Sequence, residues 1–382
     1  MDSLKNHQLG RSTQNSGRLL ANLALLAVIT ALSCAGGEAT VRWLYADSVV
    51  LFPRYHTGAR YGEYQLRRLR PDTTFVHRSV DGLWEFRING QGFRDTREYA
   101  YTKSPDAVRV LVLGDSHTQG FESRQESTYA EVIERTLERA GLAAEVMNTG
   151  VSGFSTAEEL AFLEAEGFRY EPDVVVLGFF ANDLEDNLKA GLYALEGDQL
   201  VVRSREHVPG VRVLDALNAL PPLRWASEHS YLYSLLLNTA WDRAKAALLS
   251  NAEAELATEF AVPTQSVSSY AEGLAVKLVE RMHELCRRHG AVLVFLDLPV
   301  EDGQDGFRSS LPPHLEASLR AASDAFVSSE DALGRYRGLV EFHVPHGQRH
   351  ISEFTHLMLG MRAAEEILRL REPPLGATAA SD

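Results

Sequence analysis

Between residues 108 and 370 the chain alternates short apolar runs with longer stretches of helical period. Val108–Leu113 is apolar but for Arg109, the pattern of a strand covered on both faces, and it stops at Gly114-Asp115-Ser116-His117. A helix is expected over about Ser127–Ala140, stopped by Gly141 just beyond its end. Ala144–Asn148 reads as a short strand running into the loop TGVSGFS, after which Thr156-Ala-Glu-Glu159 has the form of a capping box opening a helix. Asp173–Phe180 is the next strand, and its end reads FFANDLEDN. Leu278, Met282, Leu285 and Cys286 share one helical face before Gly290, and Ala291–Leu296 is a buried strand ending at Asp297. Leu339–Val344 then leads into a helix over about Leu357–Leu370. Such alternation predicts an α/β domain over 108–372 with a parallel sheet and helices on both faces.

The segments outside this rhythm read differently. Residues 37–107 form a lead-in with a small β element, in which Asp81-Gly82 and Asn89-Gly90 are turn signals flanking LWEFRI. Residues 190–265 read as a helical insertion, with Pro221-Pro222 and the aromatic-apolar stretch Tyr231–Trp241. The end, 373–382, has the composition of a disordered tail.

Leu19–Ala35 carries no charge, and as a helix it would span about 26 Å, close to the apolar thickness of a bilayer. Lys5, Arg11 and Arg18 precede it and Glu38 follows, a bias that keeps residues 1–18 cytoplasmic and sends the rest across the membrane. The preferred reading of 19–36 is an uncleaved transmembrane signal-anchor, because Thr40–Tyr45 continues apolar and aromatic. A signal peptide cleaved after Ala31-Leu32-Ser33, or lipidation at Cys34, are its rivals. All three place the body of the protein outside the cytoplasm.

Net charge is −14, with 38 Lys and Arg against 52 Asp and Glu, which argues against a nucleic-acid partner. Two cysteines, Cys34 and Cys286, imply no disulfide, and no Cys/His spacing suggests zinc.

Chemistry concentrates where strands end. In a parallel sheet all carboxyl ends face one edge, so Gly114-Asp115-Ser116, the Asn148–Gly153 loop, Asn182-Asp183 and the histidine-rich segment 343–356 are brought together there. A serine nucleophile needs a base to take its proton and donors for the oxyanion, and those residue types are present.

These blocks resemble the SGNH (GDSL-like) hydrolase superfamily over roughly residues 108–370. GDS at 114–116 is similar to its first block, NTGVSG at 148–153 to its second, AND at 181–183 to its third, and Glu353-Phe-Thr-His356 to its last. The resemblance implies a three-layer α/β/α, flavodoxin-like fold and a serine hydrolase of acyl esters, with an anchored bacterial type of architecture. It implies Ser116 as nucleophile, His356 as base, Glu353 as its orienter, and the Ser116 and Gly153 amides with the Asn182 side chain as the oxyanion hole. No metal or organic cofactor is required, and the substrate is a small-molecule, lipid or glycan ester. Two departures stand out. Glu353 occupies a place where the family usually has aspartate, and the interval from His356 to Gly360 is one residue short. His350, His346 and His343 are therefore rival bases, although none has an acidic residue three positions earlier. His117 is read as a loop or pocket residue. Transfer of the acyl group to an envelope polysaccharide, or a silent binding protein on the same fold, are the alternative functions.

Overall fold

Helix α1 (Asp2–Tyr45) begins the chain, and from Arg18 to Tyr45 it is long and apolar enough to cross a membrane. The computed structural model describes residues 2–259, 267–303, 306–346 and 349–371, so the expected tail at 373–382 lies outside the described residues. The central sheet has five parallel strands: β1 (Ala107–Gly114), β2 (Ala143–Asn148), β3 (Val174–Phe179), β4 (Val292–Asp297) and β5 (Ala325–Val327). Their order is β2-β1-β3-β4-β5, the flavodoxin-like arrangement, whose switch point falls between β1 and β3.

Alternation along the strands builds two cores. Val108, Val110 and Val112 of β1 pack with α2 (Tyr129–Arg139) on one face. Leu111 and Leu113 pack with α3 (Thr156–Ala165) on the other, beside Asn187-bearing α4 (Asp183–Ala190). The insertion supplies α5 (Tyr231–Glu259), after which α6 (Val267–Arg288) buries Leu278, Met282 and Cys286 in the core of the α3 face. The last helix, α7 (Glu353–Arg371), lies against α2. Their approach is close enough that a Cβ on Gly360 would stand 2.6 Å from Val132 Cβ, so the residue there is glycine for want of room. Arg109, the charge inside β1, is buried but satisfied: Nε donates to Glu145 (2.7 Å) and Nη1 to the carbonyls of Ala100, Tyr101 and Tyr170.

Three expectations need correction. The fifth strand is Ala325–Val327, whereas 339–344 is irregular and joins only in a bridge between His343 and Ile351. The capping box at α3 is formed by Ser155 and Glu158, one residue earlier than Thr156 and Glu159. Helix α7 begins at Glu353 rather than near Leu357, because Ser352 caps it, its Oγ accepting from the Thr355 amide (3.3 Å). This last shift moves His356 from a loop onto a helix.

The lead-in contributes two hairpins, His56–Tyr61 with Tyr64–Leu69 and Thr73–Ser79 with Gly82–Ile88. Tyr61, Tyr64, Leu66 and Phe93 enter the same core as α3 and α6, so the lead-in is packed into the sandwich.

Candidate active site

Strand β1 ends at Gly114 with φ +152°, and a Cβ there would fall 1.8 Å from Thr118 Oγ1, so a side chain is excluded. The chain then makes one helical turn, Ser116–Gln119, closed by Gly120 in the left-handed region. Asp115 caps this turn by accepting from the His117 amide (2.8 Å). Burial pushes the Asp115 carboxyl up to about 6. From the lead-in, buried Arg94 reaches under the turn and donates to the carbonyls of Gln119 (2.8 Å), Gly120 (2.5 Å) and Ser123 (2.9 Å), with its guanidinium 3.7 Å from the Phe86 ring centre.

The two neighbouring strands bring their loops to either side. Asn148, at the end of β2, donates to the Thr118 carbonyl (2.9 Å), and the Gln119 side chain accepts from the Ser152 amide (2.8 Å). Gly153 has φ +75°, and the carbonyl just before it, on Ser152, accepts from buried Arg67 (2.7 Å). After β3, Asp183 ties the loop to α3 by accepting from the amides of Phe180 (2.9 Å) and Thr156 (3.0 Å). Half-buried Asn182 donates one amide hydrogen to Asp186 (2.9 Å). Ser116, Gly153 and Asn182 thus lie on three adjacent loops of one sheet edge.

The histidine at Ser116 is His350: its Nε2 lies 2.8 Å from Ser116 Oγ. It is nearly buried, stacked on Phe121 and tilted against His117 at 4.6 Å between ring centres. Beyond it stands Glu122, buried and in the left-handed region at φ +56°, whose Oε2 is 3.5 Å from His350 Nδ1 and accepts from the His350 amide at 3.3 Å. Ser116 and Glu122 therefore come from one short segment, and His350 from the loop before α7.

His356 and Glu353 are elsewhere. His356 is wholly buried between α2 and α7, where Nδ1 accepts from the Tyr129 amide (3.2 Å) and satisfies an open donor of the first turn of α2. Its Nε2 lies 3.4 Å from Ser123 Oγ. Burial drives its pKa down to about 3, so the ring is neutral. Burial raises the Glu353 carboxyl, but Arg124 outweighs this and holds it below the usual range; Arg124 donates through Nε and its backbone amide, both at 2.9 Å. The physical reason is the helix start at Ser352, which turns His356 into the α2–α7 contact and Glu353 onto Arg124, both away from the sheet edge. His343 Nε2 donates to the Pro299 carbonyl (3.0 Å), and His346 pairs with Asp81 (2.8 Å). His117 is buried beside Ser116, and burial keeps it well below its ordinary pKa.

Sequence reasoning named His350 only as a rival and missed Glu122 and Arg94. The signal for His350 was Ser352: a cap there starts the helix at Glu353 and leaves His350 in the loop before it. Glu122 carried no periodic signal, since its position depends on the left-handed turn.

Among solved structures the chain is similar to TesA, with 14% identity, TM-score 0.37, and coverage of 69% of this chain and 98% of that one. An acetylxylan esterase from Geobacillus stearothermophilus shares 13% identity at TM-score 0.37, with 70% and 96% covered. A lipase from a goat-rumen metagenome shares 14% at TM-score 0.38, with 70% and 99% covered. No curated protein matches the sequence. Residues 112–318, more than half of the chain and including Ser116, Gly153 and Asn182, match the GDSL-like lipase/acylhydrolase family. The chain belongs to that family, and it is a hydrolase of ester bonds.

Proposed function

We propose that the protein is a serine esterase or deacylase working through Ser116, His350 and Glu122 on the outer face of the membrane that α1 enters. The observation that carries this reading is the 2.8 Å contact between Ser116 Oγ and His350 Nε2 at the carboxyl edge of the sheet.

Ser116 Oγ attacks the ester carbonyl while His350 Nε2 takes its proton. The Ser116 and Gly153 amides and the second amide hydrogen of Asn182 receive the oxyanion, as such donors stabilise charge that develops only in the transition state. The tetrahedral intermediate collapses, His350 returns the proton to the leaving alcohol, and the acyl group stays on Ser116. Water then repeats the sequence with His350 as base and frees the acid. Glu122 fixes the Nδ1–H tautomer and supports the imidazolium without taking the proton. Neutral His117 shields one face of the ring without placing a cation beside it.

Ser116→Ala tests the assignment. The full-length protein should react with a fluorophosphonate probe and hydrolyse activated short-chain esters, and the variant should do neither while keeping its melting temperature. Equal labelling of both proteins would remove Ser116 as nucleophile.

A further inference from the structure

The apolar part of α1 does not end free in space. From Arg18 to Tyr45 it has 28 residues. At 1.5 Å each it is about 42 Å long, matching a bilayer with its headgroup layers. Glu38, two turns before its end, therefore lies about 10 Å inside the outer edge of those layers. Glu38 is also where the insertion attaches. Its carboxylate caps α5, accepting from Ser230 Oγ (2.7 Å) and from the amides of Tyr231 and Leu232 (both 3.0 Å). Arg42 donates to the His229 carbonyl (2.9 Å) and stands 4.8 Å from the Tyr231 ring centre, while a Cβ on Gly37 would touch Leu232 at 3.0 Å. These bonds fix the end of helix Pro221–His229 and the start of α5 at the depth of Glu38.

Once α1 spans a bilayer, those segments stand within the headgroup layer. Their surface suits it. Trp225, one turn before His229, is 62% exposed, and Leu236, one turn after Leu232, is 62% exposed. Leu220 and, on α1 itself, Trp43 are likewise open. Tryptophan favours the boundary between headgroups and acyl chains, and short helices with such a face lie along it.

We propose that helix Pro221–His229 and the start of α5 form a membrane-contact collar, seated in the headgroup–acyl boundary of the bilayer that α1 spans, with Trp225 and Leu236 inserted. This rests on the reading of α1 as a membrane span. The insertion is then a fixed stand that sets the height and tilt of the hydrolase, and not a cover for its active site.

The test uses the full chain in phosphatidylcholine vesicles, with and without a lipid carrying a quencher near the headgroup. Trp43, Trp84 and Trp241 are replaced by phenylalanine, leaving Trp225 as sole emitter, and retained ester hydrolysis reports folding. The Trp225 emission should fall at least twofold with the quencher lipid. Should the triple variant not fold, Trp225→Phe in the otherwise unaltered chain replaces it, and that single change should remove a measurable part of the quenching. Protein that floats with the vesicles while Trp225 is unquenched would overturn the collar and keep the anchor. Protein that does not float with the vesicles would overturn the anchor and the collar together.

Discussion

Two histidines six positions apart, His350 and His356, have opposite surroundings. His350 sits in a loop, at the sheet edge, with one nitrogen on a hydroxyl and the other facing a carboxylate. His356 sits one turn into a helix, sealed between two helices, with its Nδ1 lone pair occupied by a backbone amide. Both have acids nearby in sequence, and only His350 faces a hydroxyl at the sheet edge. Proximity of an acid in sequence did not decide the role. The position of the helix cap between them did.

The sharpest way to break the contrast is to remove each ring. His350→Ala should abolish ester hydrolysis, to the residual activity left by binding and the oxyanion hole alone, on the order of 10³–10⁶-fold down. Its melting temperature should change little. His356→Ala should do the reverse: it leaves the Tyr129 amide unpaired and a void between α2 and α7, costing about 2–4 kcal/mol. Its folded fraction should turn over near normally. Steady-state kinetics beside thermal melts checks both; a dead but stable His356→Ala would restore that residue to the chemistry.

The acids should divide in the same way. Glu122→Gln should lower kcat substantially, by less than the roughly 10⁴-fold known for acid-to-amide changes in serine triads, since the carboxylate is 3.5 Å from Nδ1 and not in close contact. Glu353→Gln should alter kcat less than about threefold, because it removes only a largely exposed ion pair with Arg124. If the two substitutions cost the same, Glu122 is not the orienter.

A smaller effect concerns the Ser116 turn itself. The pKa of Asp115 is raised in the folded state from 3.8 to about 6 by burial, so the folded form binds more protons than the unfolded one between those values. Its contribution to stability is therefore greatest below about pH 4 and declines as pH rises towards 6. Asn caps a turn as well as Asp but does not ionise. Asp115→Asn should raise the melting temperature by a few degrees above pH 6 and by nothing near pH 4, measured by calorimetry across that range. A gain at pH 4 equal to that at pH 7 would assign the effect to something other than ionisation.

How far the fold could be read depended on the kind of signal. Apolar runs of strand length located the three inner strands, because a strand buried on both faces leaves a continuous run, and the edge strand Ala143–Asn148 was found from its apolar end leading into a glycine loop. The fifth, Ala325–Val327, is too short to stand out from its surroundings, and the more apolar 339–344 was read in its place. The blocks around Ser116, Gly153 and Asn182 were legible because parallel topology sends all three to one edge. The histidine beside Ser116 was half legible: the candidates were in view, and the cap at Ser352 that sorts them was overlooked in favour of an acid three residues before His356. Glu122 was beyond reach, since its carboxylate meets His350 only through a left-handed residue and a partner 228 positions away.

Arg94 makes the lead-in something other than an appendage. The serine and the carboxylate that would assist its base lie at the two ends of one tight bend, and the three carbonyls that hold that bend in shape are gathered by a guanidinium from outside the α/β sandwich. A recombination boundary drawn at residue 107, where the sequence changes character, would keep Ser116, Glu122 and His350 and discard the splint that spaces the first two. The unit that evolution or an engineer can move intact is thus larger than the α/β domain, and it takes in at least Arg94.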